Sequence, residues 1–179
     1  MKNANFKVEF APLEDKQNCS CLYTNGIDSV NFLFSANLGE PLKPLSKIIS
    51  GGEISRFMLA IKAQTAKYND VSTFIFDEID AGISGETASV VAKKFIKLSK
   101  DVQIIAISHL PQIASVADNN LLIKKYEDDQ KTYTEISALD YDGRVKEILR
   151  LIGGASDDDT ALEHAKHLIT TAEELKNNI

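Results

Sequence analysis

At 179 residues with 44% hydrophobic content, the chain is long enough to bury a core of its own, and a single domain over 1–179 is expected. Its formal net charge of −6 argues against a free-standing domain that holds nucleic acid by neutralising phosphates, because such domains are usually basic. The two cysteines, Cys19 and Cys21, read as small hydrophobic strand residues in a reducing compartment, since no second Cys/His cluster completes a zinc site.

The N-terminal "MKNANFKVEF" lacks the apolar core of a signal peptide, and no stretch approaches the roughly 20 apolar residues of a membrane span. A soluble, cytoplasmic protein is expected, with no membrane partner. The first 40 residues predict strands: "FKVEF" alternates, and "CSCLYT" and "DSVNFLFSA" follow with a turn at Asn25-Gly26 between them, which suits a small antiparallel sheet. "NLGEPLKPL" carries Pro41 and Pro44 and reads as a connector, because proline cannot occupy a helix interior.

From Glu53 the period changes. Ile54, Met58, Ile61 and Thr65 share a face with Phe57 beside them, which predicts an amphipathic helix opening at "SGG" and ending near Tyr68-Asn69. "STFIFDEID" is a short apolar run that stops abruptly in acids, with Phe74, Ile75 and Phe76 expected to fill the middle of a sheet. "AGISGE" follows as a turn, then a helix over about 86–100 whose Val90, Val91, Phe95, Ile96 and Leu98 account for burial. Its Lys93, Lys94, Lys97 and Lys100 read as a solvated face.

"VQIIAISH" is a second buried-type strand, closed by a polar turn and Pro111. "NNLLIKKYE" and "KTYTEISAL" form a predicted strand pair, and helices are expected over about 143–151 and 158–175, separated by "GGAS". Asp157, Asp158 and Asp159 complement the dipole of the last helix. The strand-helix-strand alternation in the middle predicts an α/β fold with central parallel strands flanked by helices, and antiparallel strands in the N-terminal and C-terminal parts.

Three features could carry chemistry. In "SGGE", Ser50, Gly51, Gly52 and Glu53 sit at a helix N-terminus, where free N–H groups and close backbone approach suit an anion; the alternative is a cap and a turn. Asp77 and Glu78 emerge at the carboxyl edge of a strand, where open α/β sheets bind ligands. Their side chains point to opposite sides, so one could hold magnesium through water while the other orients an attacking water; a pair of acids is also a simple way to leave a sheet. His109 ends the second apolar run as Asp77 ends the first, either to meet a phosphate oxygen or as a structural histidine. His164 and His167 lack a Glu-x-x-His arrangement and read as surface or capping residues.

The order of these features resembles the C-terminal half of an ABC-type ATPase. "ISGGE" resembles the signature motif, "TFIFDE" the Walker B strand, "IDAGISG" the D-loop region and "ISHLPQ" the switch histidine. Taken with "FLFSANLGEPLKPLSKIISGGEISRFMLAIK", "SHLPQIASVAD" and the closing "LIGG…HA", the chain resembles the RecN family of bacterial SMC-like proteins of DNA double-strand-break repair and recombination, over about 5–168.

No Gly-x-x-x-x-Gly-Lys-[Ser/Thr] occurs in the sequence, so no phosphate loop of that kind is present. In the family that loop lies in an N-terminal part, separated by a long coiled coil, and the two parts fold together as one head. The resemblance therefore implies the C-terminal lobe of an ABC/SMC-type P-loop NTPase head, beginning just after the coiled coil. It further implies that Asp77 helps position magnesium, that Glu78 is the general base, that His109 senses the γ-phosphate, and that Asp80 of the D-loop lies between two sites. Ser50, Gly51, Gly52 and Glu53 would reach across a head dimer to ATP held by the other protomer. The implied partners are the N-terminal Walker A lobe, a second head in a homodimer and, through the whole protein, DNA at the nucleoid. ATP and magnesium would both require the missing lobe, and the chain alone should not turn over. A nucleotide-independent protein-interaction module and half of a transporter-type ATPase are the alternatives.

Overall fold

The computed structural model describes residues 4–12, 24, 26–36, 39–47, 51–68, 70–128, 131–155 and 157–179. The chain divides into two compact units, Met1–Ile54 and Ser55–Ile179.

The first unit holds β1 (Asn5–Pro12), β2 (Asp28–Ser35) and β3 (Lys43–Pro44), in the order β1-β2-β3 and antiparallel throughout. Alternation along β1 puts Phe6, Val8 and Phe10 on one face, opposite Phe34, Phe32 and Val30 of β2. Phe6 and Phe32 stack diagonally at 5.7 Å between ring centroids. All of this face except Phe34 is exposed. The connector "NLGEPLKPL" contributes β3, a two-residue edge strand in which Pro44 is tolerated because one side has no partner to satisfy. Cys19, Cys21 and most of the expected "CSCLYT" strand and its turn lie outside the described residues, as does Ser50.

α1 (Gly51–Thr65) begins at the glycine pair and continues as a 3-10 turn over Ala66–Tyr68. Its predicted inner face needs correcting: Ile54 and Met58 are exposed, whereas Phe57, Leu59 and Ala66 are buried. Leu59 and Ala66, two helical turns apart, enter the core of the second unit beside Phe74 and Phe76.

That core is built on β4 (Thr73–Phe76), α2 (Gly85–Leu98) and β5 (Gln103–Ala106). β4 and β5 pair in parallel, as expected, with Phe74 opposite Ile104 and Phe76 opposite Ala106. Phe74 and Phe76 pack with Ile79, Ala88, Val91, Phe95 and Leu98, and the rings of Phe76 and Phe95 lie 5.2 Å apart. Two expectations fail here, for one reason. Ile75 is exposed because its side chain points to the sheet face opposite Phe74 and Phe76, and Val90 is exposed because it points away from the core that Val91 enters. Lys93, Lys94 and Lys97 of α2, and Lys100 just past its end, are exposed.

α3 (Pro111–Ala114) starts with proline at its first turn, where no N–H is needed. β6 (Leu121–Asp128) and β7 (Lys131–Ala138) form the predicted antiparallel pair. α4 (Tyr141–Leu151) starts two residues before its expected position because Asp140 caps it, accepting from Gly143 N at 2.8 Å. α5 (Asp159–Asn177) is capped in the same way by Asp158, which accepts from Ala161 N at 3.0 Å. Val145, Ile148 and Leu149 of α4 pack on Ala165 and Ile169 of α5 in a second core. Gly153, at φ 77°, and Gly154 make the corner between the two helices, with Gly154 N donating to Leu149 O at 3.0 Å.

Candidate functional site

Parallel pairing brings the ends of β4 and β5 to one edge. Ile107 N donates to Phe76 O at 2.9 Å, carrying the ladder one residue past β5. Asp77-Glu78 and Ser108-His109 therefore leave the sheet side by side. Asp77 and Glu78 are both exposed. Asp77 Oδ1 accepts from Glu78 N at 2.9 Å, and Glu78 adopts φ 52°, a left-handed conformation that only this non-glycine residue takes among those described. Such strain persists only where neighbours over-determine the backbone.

The neighbours can be named. Ile79 is fully buried and anchors the turn in the core. Ala81 N closes the turn on Glu78 O at 3.0 Å, and Gly82 supplies a second positive φ of 69°. From α1, Ser55 Oγ donates to Asp77 O at 2.8 Å, and Arg56 Nη1 donates to Ile79 O at 3.2 Å and Ala81 O at 2.8 Å. One arginine nitrogen thus holds the carbonyls on both sides of Asp80.

Asp80 is 4% exposed, and a buried carboxylate must be compensated. Its Oδ2 accepts from Ser108 Oγ at 2.6 Å and from His109 N at 2.7 Å, and lies 3.0 Å from His109 Nδ1. Ser108 Oγ in turn accepts from Leu110 N at 3.1 Å. The imidazole itself is 74% exposed.

Of the residues singled out by sequence, Asp77, Glu78, Asp80 and His109 are brought together at this edge. Gly51, Gly52 and Glu53 open α1, and His164 and His167 are exposed on α5. Ser55, Arg56 and Ser108 were missed. They interact with residues 22 to 28 positions away, so no local period reveals them; the one signal was a pair of polar residues interrupting the apolar pattern of α1.

The donor set fits magnesium in one specific sense. No group of three or more His, Cys, Asp or Glu side chains gathers for a metal among the described residues. Magnesium is commonly held by one or two carboxylates, with waters and substrate phosphates completing its shell, and the exposed Asp77 carboxylate meets that need.

No protein-family model matches the chain. The chain is 42% identical over 178 residues to the DNA repair protein RecN of Halalkalibacterium halodurans, covering 99% of this chain and 31% of that protein. It is 43% identical over 186 residues to RecN of Bacillus subtilis (98% and 32%), and 45% identical over 171 residues to RecN of Treponema pallidum (94% and 30%). Among solved structures, the Smc head domain with coiled coil and joint from Pyrococcus yayanosii superposes with a TM-score of 0.53 at 20% identity, covering 81% of this chain and 26% of that one. The Smc head of Pyrococcus furiosus, bound to the C-terminal domain of ScpA, gives 0.51 at 20% identity, covering 83% and 34%. These two likenesses establish the fold, an α/β arrangement of the SMC head type. Over nearly its whole length the chain is similar to proteins named DNA repair protein RecN, and it spans about a third of the length of those relatives.

Proposed function

We propose that this chain is the C-terminal lobe of the ATP-hydrolysing head of an SMC-like protein of DNA double-strand-break repair, with both compact units belonging to that one lobe. The observation that carries the reading is the convergence of Asp77-Glu78 and Ser108-His109 at the carboxyl ends of adjacent parallel strands, tied together by Asp80.

In this reading Glu78, exposed and held in a strained conformation, orients and deprotonates the attacking water. Asp77, on the opposite side of the chain, helps hold magnesium through water. Magnesium bound with the nucleotide would neutralise charge on the transferring phosphoryl group. His109 meets the γ-phosphate. Ser50, Gly51, Gly52 and Glu53 are the signature residues that reach ATP on a second head, where the start of a helix suits an anion. A lobe with base and signature but no phosphate loop is half a catalyst, because phosphoryl transfer needs the phosphates gripped while charge is neutralised.

The partners are therefore an N-terminal lobe bearing the phosphate loop, a second head in a homodimer and, through the whole protein, DNA, in the cytoplasm at the nucleoid. ATP binding joins two heads and hydrolysis separates them. The exposed face of Ile75, Ile105 and Ile107 supports the need for a further lobe, since parallel sheets are ordinarily covered on both faces.

The test is ATP hydrolysis by this chain alone and after mixing with the phosphate-loop lobe, each with and without Glu78→Gln. Silence alone, activity on mixing, and loss of turnover with retained ATP-dependent head pairing in the variant are expected. Hydrolysis by the purified chain alone, abolished by Glu78→Gln, would refute the split head.

A further inference from the structure

We propose that Asp80 is a positioning residue for His109: one carboxylate oxygen holds the imidazole with its proton on Nδ1, presents Nε2 outward, and yokes the histidine to the segment that carries Glu78. This inference rests on the reading of His109 as the group that meets the γ-phosphate.

The geometry is unusually concentrated. Three groups converge on Asp80 Oδ2, all from residues 108 and 109: the Ser108 hydroxyl, the His109 backbone N–H and His109 Nδ1, at 2.6, 2.7 and 3.0 Å. The first two fix the backbone that bears the ring, and the third fixes the ring. A solvated histidine needs none of them, and a histidine held for packing would be buried, whereas this ring is 74% exposed.

A ring nitrogen 3.0 Å from a carboxylate oxygen is favourable only if it carries a hydrogen, since two lone pairs at that distance repel. The hydrogen bond made by one ring nitrogen therefore sets the state of the other. With Nδ1 committed to Asp80, Nε2 is the edge offered to a ligand: an acceptor in the neutral ring, a donor in the protonated one. Without Asp80 the ring could turn about its side-chain torsions and exchange the two edges.

Asp80 is itself held from behind. Ile79 is fully buried, and Arg56 bonds the carbonyls of Ile79 and Ala81, so the residue between them has little freedom. Two residues upstream stands Glu78 at φ 52°. The proposed base and the proposed phosphate contact are thus referenced to one short, clamped piece of backbone, although they lie on different strands' ends. Misplacing a reacting group by about 1 Å can cost on the order of 100-fold in rate, which is the benefit such a yoke confers.

The first experiment leaves Asp80 unchanged. The chain is labelled with ring-15N histidine, the signal of His109 is assigned among the three histidines by its loss in His109→Asn, and the spectrum is taken at a pH where the imidazole is neutral. A protonated Nδ1 and a bare Nε2 are expected; a predominant Nε2–H form would overturn the proposal. Asp80→Asn, which keeps the shape, is expected to shift the ring toward the Nε2–H form, and an unchanged tautomer would also overturn it. In the head assembled with the phosphate-loop lobe, Asp80→Asn should lower kcat by about tenfold to a hundredfold with KM for ATP within about twofold, as expected where positioning rather than uniform binding is lost. The same change should cost little more in a His109→Ala background, because the two act as a unit. If Asp80→Asn fails to fold, Ser108→Ala serves in its place with a smaller loss of the same kind. The proposal and the reading beneath it fail separately: a correct tautomer with full hydrolysis in His109→Ala would remove His109 from the chemistry but leave Asp80 as its positioner. A wrong tautomer would sink the proposal even in a fully active head.

Discussion

Ile75 and Ile105 stand opposite each other in the parallel register of β4 and β5, and both are exposed, at 70% and 46%. Their neighbours Phe74 and Phe76 are buried on the other face, so among the described residues of the second unit this sheet is covered on one side only. The chain alone is expected to self-associate through that face. The pair Ile75→Lys and Ile105→Lys should shift sedimentation toward monomer and prevent recovery of hydrolysis on mixing with the phosphate-loop lobe. Identical sedimentation of the two proteins would show that another surface drives association.

Arg56 links α1 to the turn after β4 by two hydrogen bonds from one nitrogen. Truncation in Arg56→Ala leaves the carbonyls of Ile79 and Ala81 without that donor and should destabilise the second unit by about 1–3 kcal/mol. Turnover in the assembled head should fall further than stability predicts, since the turn sets Glu78. Denaturant titration alongside kcat separates the two; equal turnover per folded molecule would deny the turn this role.

Glu78→Gly relieves a left-handed conformation that costs a non-glycine residue about 1–2 kcal/mol, against an entropy penalty of about 0.5–1 kcal/mol for glycine. Stability should stay level or rise by up to about 1 kcal/mol while hydrolysis is lost. A thermal melt that drops by several degrees would mean the Glu78 side chain supports the fold.

Gly154→Ala places a Cβ against the side chains of Leu149 and Ala161, at the corner between α4 and α5. Overpacking of this kind costs about 1–3 kcal/mol. A chemical melt should show the loss, with tertiary signals of the helix pair affected first; an unchanged midpoint would mean that the corner opens freely.

Much of this arrangement was legible in the sequence, and the exceptions share a cause. β4 and β5 announced themselves as apolar runs ending in polar residues, and the order of Asp77, Glu78 and His109 followed from those endings. Which face of an element meets the core was not legible where apolar residues occur on more than one side: Ile54 and Met58 looked as inward as Phe57, and Ile75 as inward as Phe76. Periodicity identifies an element but not which of its sides finds a neighbour. The start of α4 was readable, since Asp140 is a capping type of residue, yet Gly143 drew the boundary inward. Long-range polar contacts left no trace at all, which is why neither the bonds of Asp80 to residues 108 and 109 nor those of Arg56 to the turn after β4 could be read.

The parallel pair also governs when the site comes into being. Thr73 and Gln103, opposite each other in register, are 30 residues apart, and closing that distance depends on α2, which lies between them in sequence, packing against the strand pair. By contrast, β6–β7 and α4–α5 join neighbours in sequence and can form locally, with far less chain entropy to overcome. During refolding the hairpin and the helix pair should be present while Asp77, Glu78 and His109 are still strangers to one another. A refolding chain would then regain its helical signal before these three residues meet, and the interval between the two measures how long the chain exists as structure without a site.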